Sequence, residues 1–226
     1  MGQPVYWIGG SKGGVGKSIV AMALLDHLAQ RGEETLLIES DTANADVWKA
    51  YGKHVASEVV NLDEADGWIH LVNVCERDSV KTVVVNTAAR NNVGVTKFGQ
   101  TLNSTLADLK RKLVTIWVIN RQRDSLELLH EFREALPNAL VHVLRNGHFG
   151  DEKKFELYNG SELRKLVESA GGRSLTFPDL ADRVADDLFV RRLAIAEALR
   201  DLPLGNRAEL SRWRAEVTKT FTEATV

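Results

Sequence analysis

Residues 5–25 contain the feature that most restricts how this 226-residue chain can fold. The apolar stretch Val5–Ile8 leads into a glycine-rich loop that ends in Lys17 and Ser18. Apolar residues with helical spacing follow from 19 to 25. A β-strand, a glycine loop ending in Lys-Ser and a helix together form the unit that cradles nucleotide phosphates. The sequence therefore predicts a P-loop near the N-terminus.

The residue types of this loop suit a bound nucleoside triphosphate. Gly13, Gly14 and Gly16 lack a Cβ, so backbone N–H groups can approach the phosphate oxygens closely. The N-terminus of the following helix adds a partial positive charge. Lys17 can reach the β- and γ-phosphates, and the Ser18 hydroxyl can bind a Mg²⁺ ion that bridges them. ATP or ADP with Mg²⁺ is the expected cofactor.

The start of the loop departs from the general P-loop pattern. Ser11 stands where that pattern has a glycine, and Lys12 adds a second lysine. The segment 12–18, Lys-Gly-Gly-Val-Gly-Lys-Ser, resembles the deviant Walker A loop of the MinD/ParA family of ATPases. In that family the early lysine reaches the partner subunit's phosphates, so the resemblance implies a homodimer that forms on ATP binding and sandwiches the nucleotides. It assigns nucleotide contacts to Ser11, Lys12, Gly13, Gly14, Val15, Gly16, Lys17, Ser18 and Ile19.

Acidic residues lie at the end of the second predicted strand, residues 34–41. Open α/β sheets bind ligands at the carboxyl ends of their strands, so Glu39 and Asp41 are candidates for the same site. The family has Asp-x-Asp here, with the second carboxylate near Mg²⁺ and the attacking water. Asp41 matches that position, whereas Glu39 replaces the first aspartate. The resemblance thus implies that Lys12, Lys17 and Asp41 are the catalytic residues of an ATPase.

The third predicted strand, residues 81–89, carries Asn86 where the family has an aspartate. An amide keeps an acceptor oxygen but lacks the negative charge. The resemblance implies a metal site formed by Ser18, Asp41 and, through water, Asn86. Weakened metal binding and slow hydrolysis are expected because that charge is missing. Residues 91–94 are predicted to form a mobile turn at the family's second switch position.

The rest of the chain alternates strands with helices. Further strands are predicted at 113–120, 140–146 and 173–178, an amphipathic helix at 59–74 and a long loop at 147–160. This alternation predicts an α/β fold with a doubly wound, mostly parallel sheet flanked by helices. By resemblance, Asn146 and Pro178 contact the adenine base. The chain is expected to form one P-loop nucleotide-binding domain, residues 1–226, with a C-terminal helix from about 205 to 224.

Composition and charge limit the partners. The formal net charge of −2 gives no global attraction to nucleic acid, and no apolar run is long enough to span a bilayer. The single cysteine, Cys75, excludes an internal disulfide, so a cytoplasmic protein is expected. Because no apolar run is long enough, no membrane partner is expected. The C-terminal third nevertheless carries arginines that leave non-specific DNA binding open: Arg183, Arg191, Arg192, Arg200, Arg207, Arg212 and Arg214. An adaptor or DNA-binding protein is the other partner considered.

Three functions are compatible with these features. The leading hypothesis is an ATP-dependent dimerisation switch in plasmid or chromosome partition, or in plasmid stability or mobilisation. The first alternative is a small-molecule synthetase or kinase-like enzyme of the same P-loop class, which phosphate transfer to an added substrate would reveal. The second is a nucleotide-binding scaffold that hydrolyses ATP poorly because of Asn86.

Overall fold

The computed structural model describes residues 2–11, 13–89 and 91–225, so Lys12 and the roles predicted for it lie outside the described residues. The strands in the described part are β1 (Val5–Gly10), β2 (Thr35–Glu39), β3 (Ala56–Val59), β4 (Thr82–Asn86), β5 (Leu113–Ile119), β6 (Leu140–Asn146) and β7 (Ser174–Phe177). The helices are α1 (Lys17–Gln30), α2 (Asp46–Tyr51), α3 (Ala65–Arg77), α4 (Asn92–Thr105), α5 (Asp124–Ala135), α6 (Glu156–Asn159), α7 (Glu162–Ser169), α8 (Asp182–Val190), α9 (Ile195–Asp201) and α10 (Leu204–Ala224).

The strands form one sheet in the order β3-β2-β4-β1-β5-β6-β7, and every neighbouring pair is parallel. This confirms the predicted α/β sheet flanked by helices. The register pairs Asn86 of β4 with Ile8 of β1 on one side and with Glu39 of β2 on the other. The carboxyl ends of these three central strands therefore meet at one edge, where ligands bind in open α/β sheets.

Helices cover both faces of the sheet. Successive residues of a strand point to opposite faces, so β1 contributes side chains to two separate cores. Tyr6 and Ile8 of β1 pack into a core with α1, α8, α9 and α10. Val5 and Trp7 pack into a second core with α3, α4, α5 and α7. Trp7 stacks on the buried Trp68 of α3 with 5.5 Å between ring centroids. The two apolar layers hold the sheet rigidly behind the edge at which the strands end.

Several local predictions differ from the structure. The edge strand β3 is not predicted, since its residues are exposed or half-buried and lack an apolar pattern. The helix predicted at 59–74 begins only at Ala65, because the backbone carbonyl of Leu62 accepts a hydrogen bond from Trp68 Nε1 at 2.9 Å and the preceding loop is held there. The predicted turn at 91–94 enters the first turn of α4, and the loop at 147–160 contains two 3₁₀ turns and α6.

Gly94 brings the first turn of α4 into close contact with the loop before α3. A Cβ at this position would lie 2.0 Å from the Leu62 carbonyl oxygen, and the backbone there cannot move aside cheaply. We expect Gly94→Ala to lower the free energy of unfolding by about 2 kcal/mol through overpacking. The control is Gly205→Ala in the first turn of α10, where a Cβ meets nothing within 4 Å. Urea unfolding of both variants measures the difference, and equal stability would contradict this packing.

Candidate nucleotide-binding site

The loop between β1 and α1 has a conformation that requires glycine. Gly14 has φ 78° and Gly16 has φ 103°, both in the left-handed region that residues with a Cβ rarely adopt. Gly16 immediately precedes the first residue of α1. The loop therefore ends directly at the N-terminus of α1, which is the arrangement that the sequence predicts for phosphate binding.

Ser11 is tied to the protein on the other side of the loop. Its side chain is buried, and its Oγ lies 2.9 Å from Oγ of Ser125, near the start of α5. The Ser125 hydroxyl in turn donates to Asn120 Oδ1 at 2.9 Å. Where the general P-loop pattern has a glycine, this chain therefore has a hydroxyl that anchors the loop to α5. The sequence analysis missed Ser125 and Asn120, since no motif links them to the loop.

Lys17 and Asp41 line the same cleft, which has a volume of about 390 Å³. The cleft is lined by Gly13, Gly14, Gly16, Lys17, Ser18, Ile19, Asp41, Asn44, Asp46, Thr87, Ala89 and Phe189. Lys17 is only 7% exposed. Burial lowers the pKa of its ammonium group to about 8, and the negative charge of Asp41 works against that shift. A largely desolvated cation beside a glycine loop is suited to binding an anion.

Asp41 is held through both its backbone and its side chain. Its Oδ1 accepts a hydrogen bond from the backbone N–H of Asn44 at 2.9 Å. Its own N–H donates to Glu39 Oε1 at 3.0 Å. These two contacts place the carboxylate at the end of β2, opposite the P-loop lysine.

Glu39 is fully buried at the end of β2 and collects further donors. Its Oε1 accepts from Asn86 Nδ2 at 2.8 Å, and its Oε2 accepts from the backbone N–H of Trp48 at 3.4 Å. Burial raises the pKa of the Glu39 carboxyl to about 7, while its hydrogen bonds oppose that rise because they favour the charged form. The sequence analysis places Glu39 at the ligand-binding edge of the sheet, but it does not predict the contact with Asn86.

Asn86 lies behind the wall of the cleft. It is 2% exposed, whereas its neighbours Thr87 and Ala89 line the cleft itself. Its Nδ2 is engaged by Glu39, and its buried Oδ1 has no hydrogen-bond partner among the described residues. The amide therefore retains one unused acceptor at the strand end where the family resemblance implies a metal-bound water.

A second cleft of about 480 Å³ adjoins the first and shares Gly14, Gly16, Ile19 and Phe189 with it. Asn146 and Pro178, which the family resemblance assigns to the base, both line this second cleft. The Asn146 amide also braces the P-loop, since its Nδ2 donates to the Val15 carbonyl oxygen at 2.9 Å. A Cβ on Gly16 would lie 2.4 Å from that nitrogen, so the loop can approach Asn146 only with glycine there.

The C-terminal arginines do not all face solvent as free cations. Arg212 is bound by Glu209 at 2.6 Å and by Glu216 at 2.8 Å, and Arg214 is bound by the buried Asp26 at 2.6 Å. Arg183, Arg191, Arg192 and Arg200 are exposed, as is the ion-paired Arg212. The apolar stripe of α10, from Leu210 to Phe221, is buried in the core beside α1. Within the described residues, no helix combines the length and apolar character needed to cross a membrane.

The parallel sheet, the glycine loop on a helix N-terminus and the buried lysine define a P-loop nucleotide-binding protein. The family model described as the CobQ/CobB/MinD/ParA nucleotide binding domain matches residues 6–147, and the chain belongs to this family.

Individual relatives agree with this assignment. The chain is 66% identical over 221 residues to Protein MobD of Acidithiobacillus ferrooxidans, covering 98% of this chain and 97% of the relative. Its fold resembles the cell division ATPase MinD of Pyrococcus furiosus, with a TM-score of 0.57, 14% identity and coverage of 97% and 99% of the two chains. The septum site-determining protein MinD of Pyrococcus horikoshii, solved with Mg-ADP, gives a TM-score of 0.55 at 14% identity over 99% and 100%.

Proposed function

We propose that this protein is an ATP-binding switch ATPase of the MinD/ParA type that acts in plasmid mobilisation. The observation that carries the proposal is the meeting of the glycine loop, Lys17 and Asp41 in one cleft at the carboxyl edge of the sheet. Mobilisation is preferred to partition because a relative that matches almost the whole chain bears the name MobD.

Different residues of the two clefts are proposed to bind the phosphates, the Mg²⁺ ion and the base of ATP. The backbone of residues 13–16 and the Lys17 ammonium bind the phosphates. Ser18 and Asp41 are the oxygen ligands proposed for Mg²⁺, which neutralises charge on the β- and γ-phosphate oxygens when it is bound. The unpartnered Oδ1 of Asn86 fits such a site, because a buried acceptor without a partner suits a metal-bound water. Asn146 and Pro178 are proposed to flank the base.

Asp41 is the residue proposed to orient the attacking water. The backbone N–H of Asn44 donates to Oδ1 of Asp41, so the second carboxylate oxygen remains for the water.

Lys12 is proposed to complete the site of a second copy in an ATP-dependent homodimer, as the family resemblance implies. The exposed arginines Arg183, Arg191, Arg192 and Arg200 are proposed for any weak DNA contact, and an adaptor protein is the preferred partner because the net charge is −2.

Replacing Asp41 tests the ATPase directly. We expect Asp41→Asn to lower the steady-state rate of phosphate release at least about tenfold, since the group that orients the water loses its charge. ATP affinity measured without Mg²⁺ should change by less than about threefold, because Lys17 and the glycine loop remain in place. Asp63→Asn, at an exposed position outside the cleft, is the control. Unchanged phosphate release in Asp41→Asn would remove Asp41 from the mechanism, and transfer of phosphate to an added substrate would favour a small-molecule enzyme instead.

A further inference from the structure

Glu39 is a fully buried carboxylate that contacts three hydrogen-bond donors at the end of β2. The donors are the backbone N–H groups of Asp41 and Trp48 and the side-chain amide of Asn86. Since all three partners donate, the ionised carboxylate, which only accepts, satisfies every one of them. The contact with Asn86 joins residues 47 positions apart in the chain. Glu39 thus connects the β2 end, the β4 end and the start of α2.

We infer that Glu39 is a positioning residue that fixes Asp41 and Asn86 for their roles at the nucleotide, an inference that rests on the proposed function. Asp41 is held from both sides, by Glu39 at its backbone and by the Asn44 N–H at its carboxylate. Without Glu39, the backbone at Asp41 and the first turn of α2 lose a shared anchor. The carboxylate that orients the water would then be displaced.

Glu39 also determines which end of the Asn86 amide is available. An amide is planar and carries its nitrogen and oxygen on opposite sides, so the hydrogen bond from Nδ2 to Glu39 turns Oδ1 away from Glu39. The acceptor, rather than the NH₂ group, is then left unpartnered. A freely rotating asparagine would present its donor as often as its acceptor, and the NH₂ group cannot accept a hydrogen bond from a metal-bound water.

The residues at positions 39 and 86 are therefore matched to each other. An aspartate at 86, as in the family pattern, would bring two buried carboxylates within hydrogen-bond distance of each other, where like charges repel. An amide at 86 removes that repulsion and turns the contact into a hydrogen bond. In this chain the acidic residues at these strand ends are Glu39 and Asp41.

A double-mutant cycle tests this coupling with Glu39→Gln, Asn86→Asp and the double variant. Two quantities are measured for each protein: the melting temperature without nucleotide, and the affinity for a fluorescent ATP analogue with and without Mg²⁺. Glutamine keeps only one acceptor oxygen, so its NH₂ group faces at least one of the three donors and displaces the contacts at this point. We expect Glu39→Gln to lower the Mg²⁺-dependent affinity about tenfold and to change the metal-free affinity less than about twofold. Asn86→Asp should lower the melting temperature without nucleotide. The double variant should recover part of both losses, because it restores one amide-to-carboxylate hydrogen bond.

Asp26→Asn is the matched control, since Asp26 is also a buried carboxylate but is bound by Arg214 far from the loop. It should lower the melting temperature without changing the Mg²⁺ dependence. If Glu39→Gln behaves like this control, or if the double variant loses the sum of the two single losses, Glu39 is not a positioning residue. If wild type fails to bind the ATP analogue at all, the proposed function is wrong, while the cycle in melting temperature still measures the coupling between positions 39 and 86.

Discussion

Replacing Lys17 by alanine is expected to raise the dissociation constant for ATP by about 100-fold or more. Lys17 is the buried cation beside the glycine loop, and a charge-assisted contact of this kind contributes about 3 kcal/mol. The fold should persist, because Lys17 lines the cleft and is not part of either apolar core. Titration calorimetry with Mg-ATP measures the affinity, and thermal unfolding checks that the variant is folded.

The control for this variant is Lys165→Ala, because Lys165 is exposed and paired with Glu162 on α7. It should bind ATP as wild type does. The pH dependence gives a second readout, since burial lowers the pKa of Lys17 to about 8 in the free protein. Lysine is charged below its pKa, so ATP affinity should be complete below pH 8 and decline above it in wild type. A Lys17→Ala protein with unchanged affinity, or with the same pH profile, would place the nucleotide elsewhere.

The same substitution tests the proposed role in plasmid mobilisation. A mobilisable plasmid that carries the Lys17→Ala allele should transfer at a lower frequency than one carrying the wild-type or the Lys165→Ala allele. Normal transfer of the Lys17→Ala plasmid, with ATP binding lost in calorimetry, would separate nucleotide binding from mobilisation.

The strand, loop and helix that carry the proposed phosphate site could be predicted because this unit is local. The strand, loop and helix are adjacent in the chain, and residues 13–18 carry the glycine, lysine and serine types that phosphate chemistry requires. The sheet could be predicted for a related reason, since buried parallel strands have near-continuous apolar sequences. β3 could not be predicted, because an exposed edge strand of four residues has no such run.

The contacts that support the site could not be predicted because they join distant residues. Ser11 and Ser125 lie 114 positions apart, and Asn146 and Val15 lie 131 positions apart. No local pattern distinguishes a serine or asparagine that makes such a bond from one that faces solvent. Likewise, the count of C-terminal arginines gave no sign that Asp26 binds Arg214 across 188 positions. Hydrogen-bond partners of this kind depend on how the finished sheet and helices bring the strand ends together.

Replacing Lys12 by alanine is expected to abolish ATP-dependent dimerisation. This expectation rests on the family resemblance of loop residues 12–18. If the early lysine contacts the phosphates of a second copy, ATP should drive dimerisation and ADP should not. We expect Lys12→Ala to bind ATP with nearly wild-type affinity and to remain monomeric. Asp41→Asn should keep the ATP dimer longer than wild type, because hydrolysis ends the state that holds it together.

Light scattering at saturating Mg-ATP and at saturating Mg-ADP tests this switch most directly. Wild type should reach twice the chain mass of 25.1 kDa with ATP and stay at the monomer mass with ADP. Lys12→Ala should stay at the monomer mass with both nucleotides. A wild-type protein that remains monomeric while saturated with ATP, or a Lys12→Ala protein that dimerises as wild type does, would contradict an ATP-dependent dimer switch.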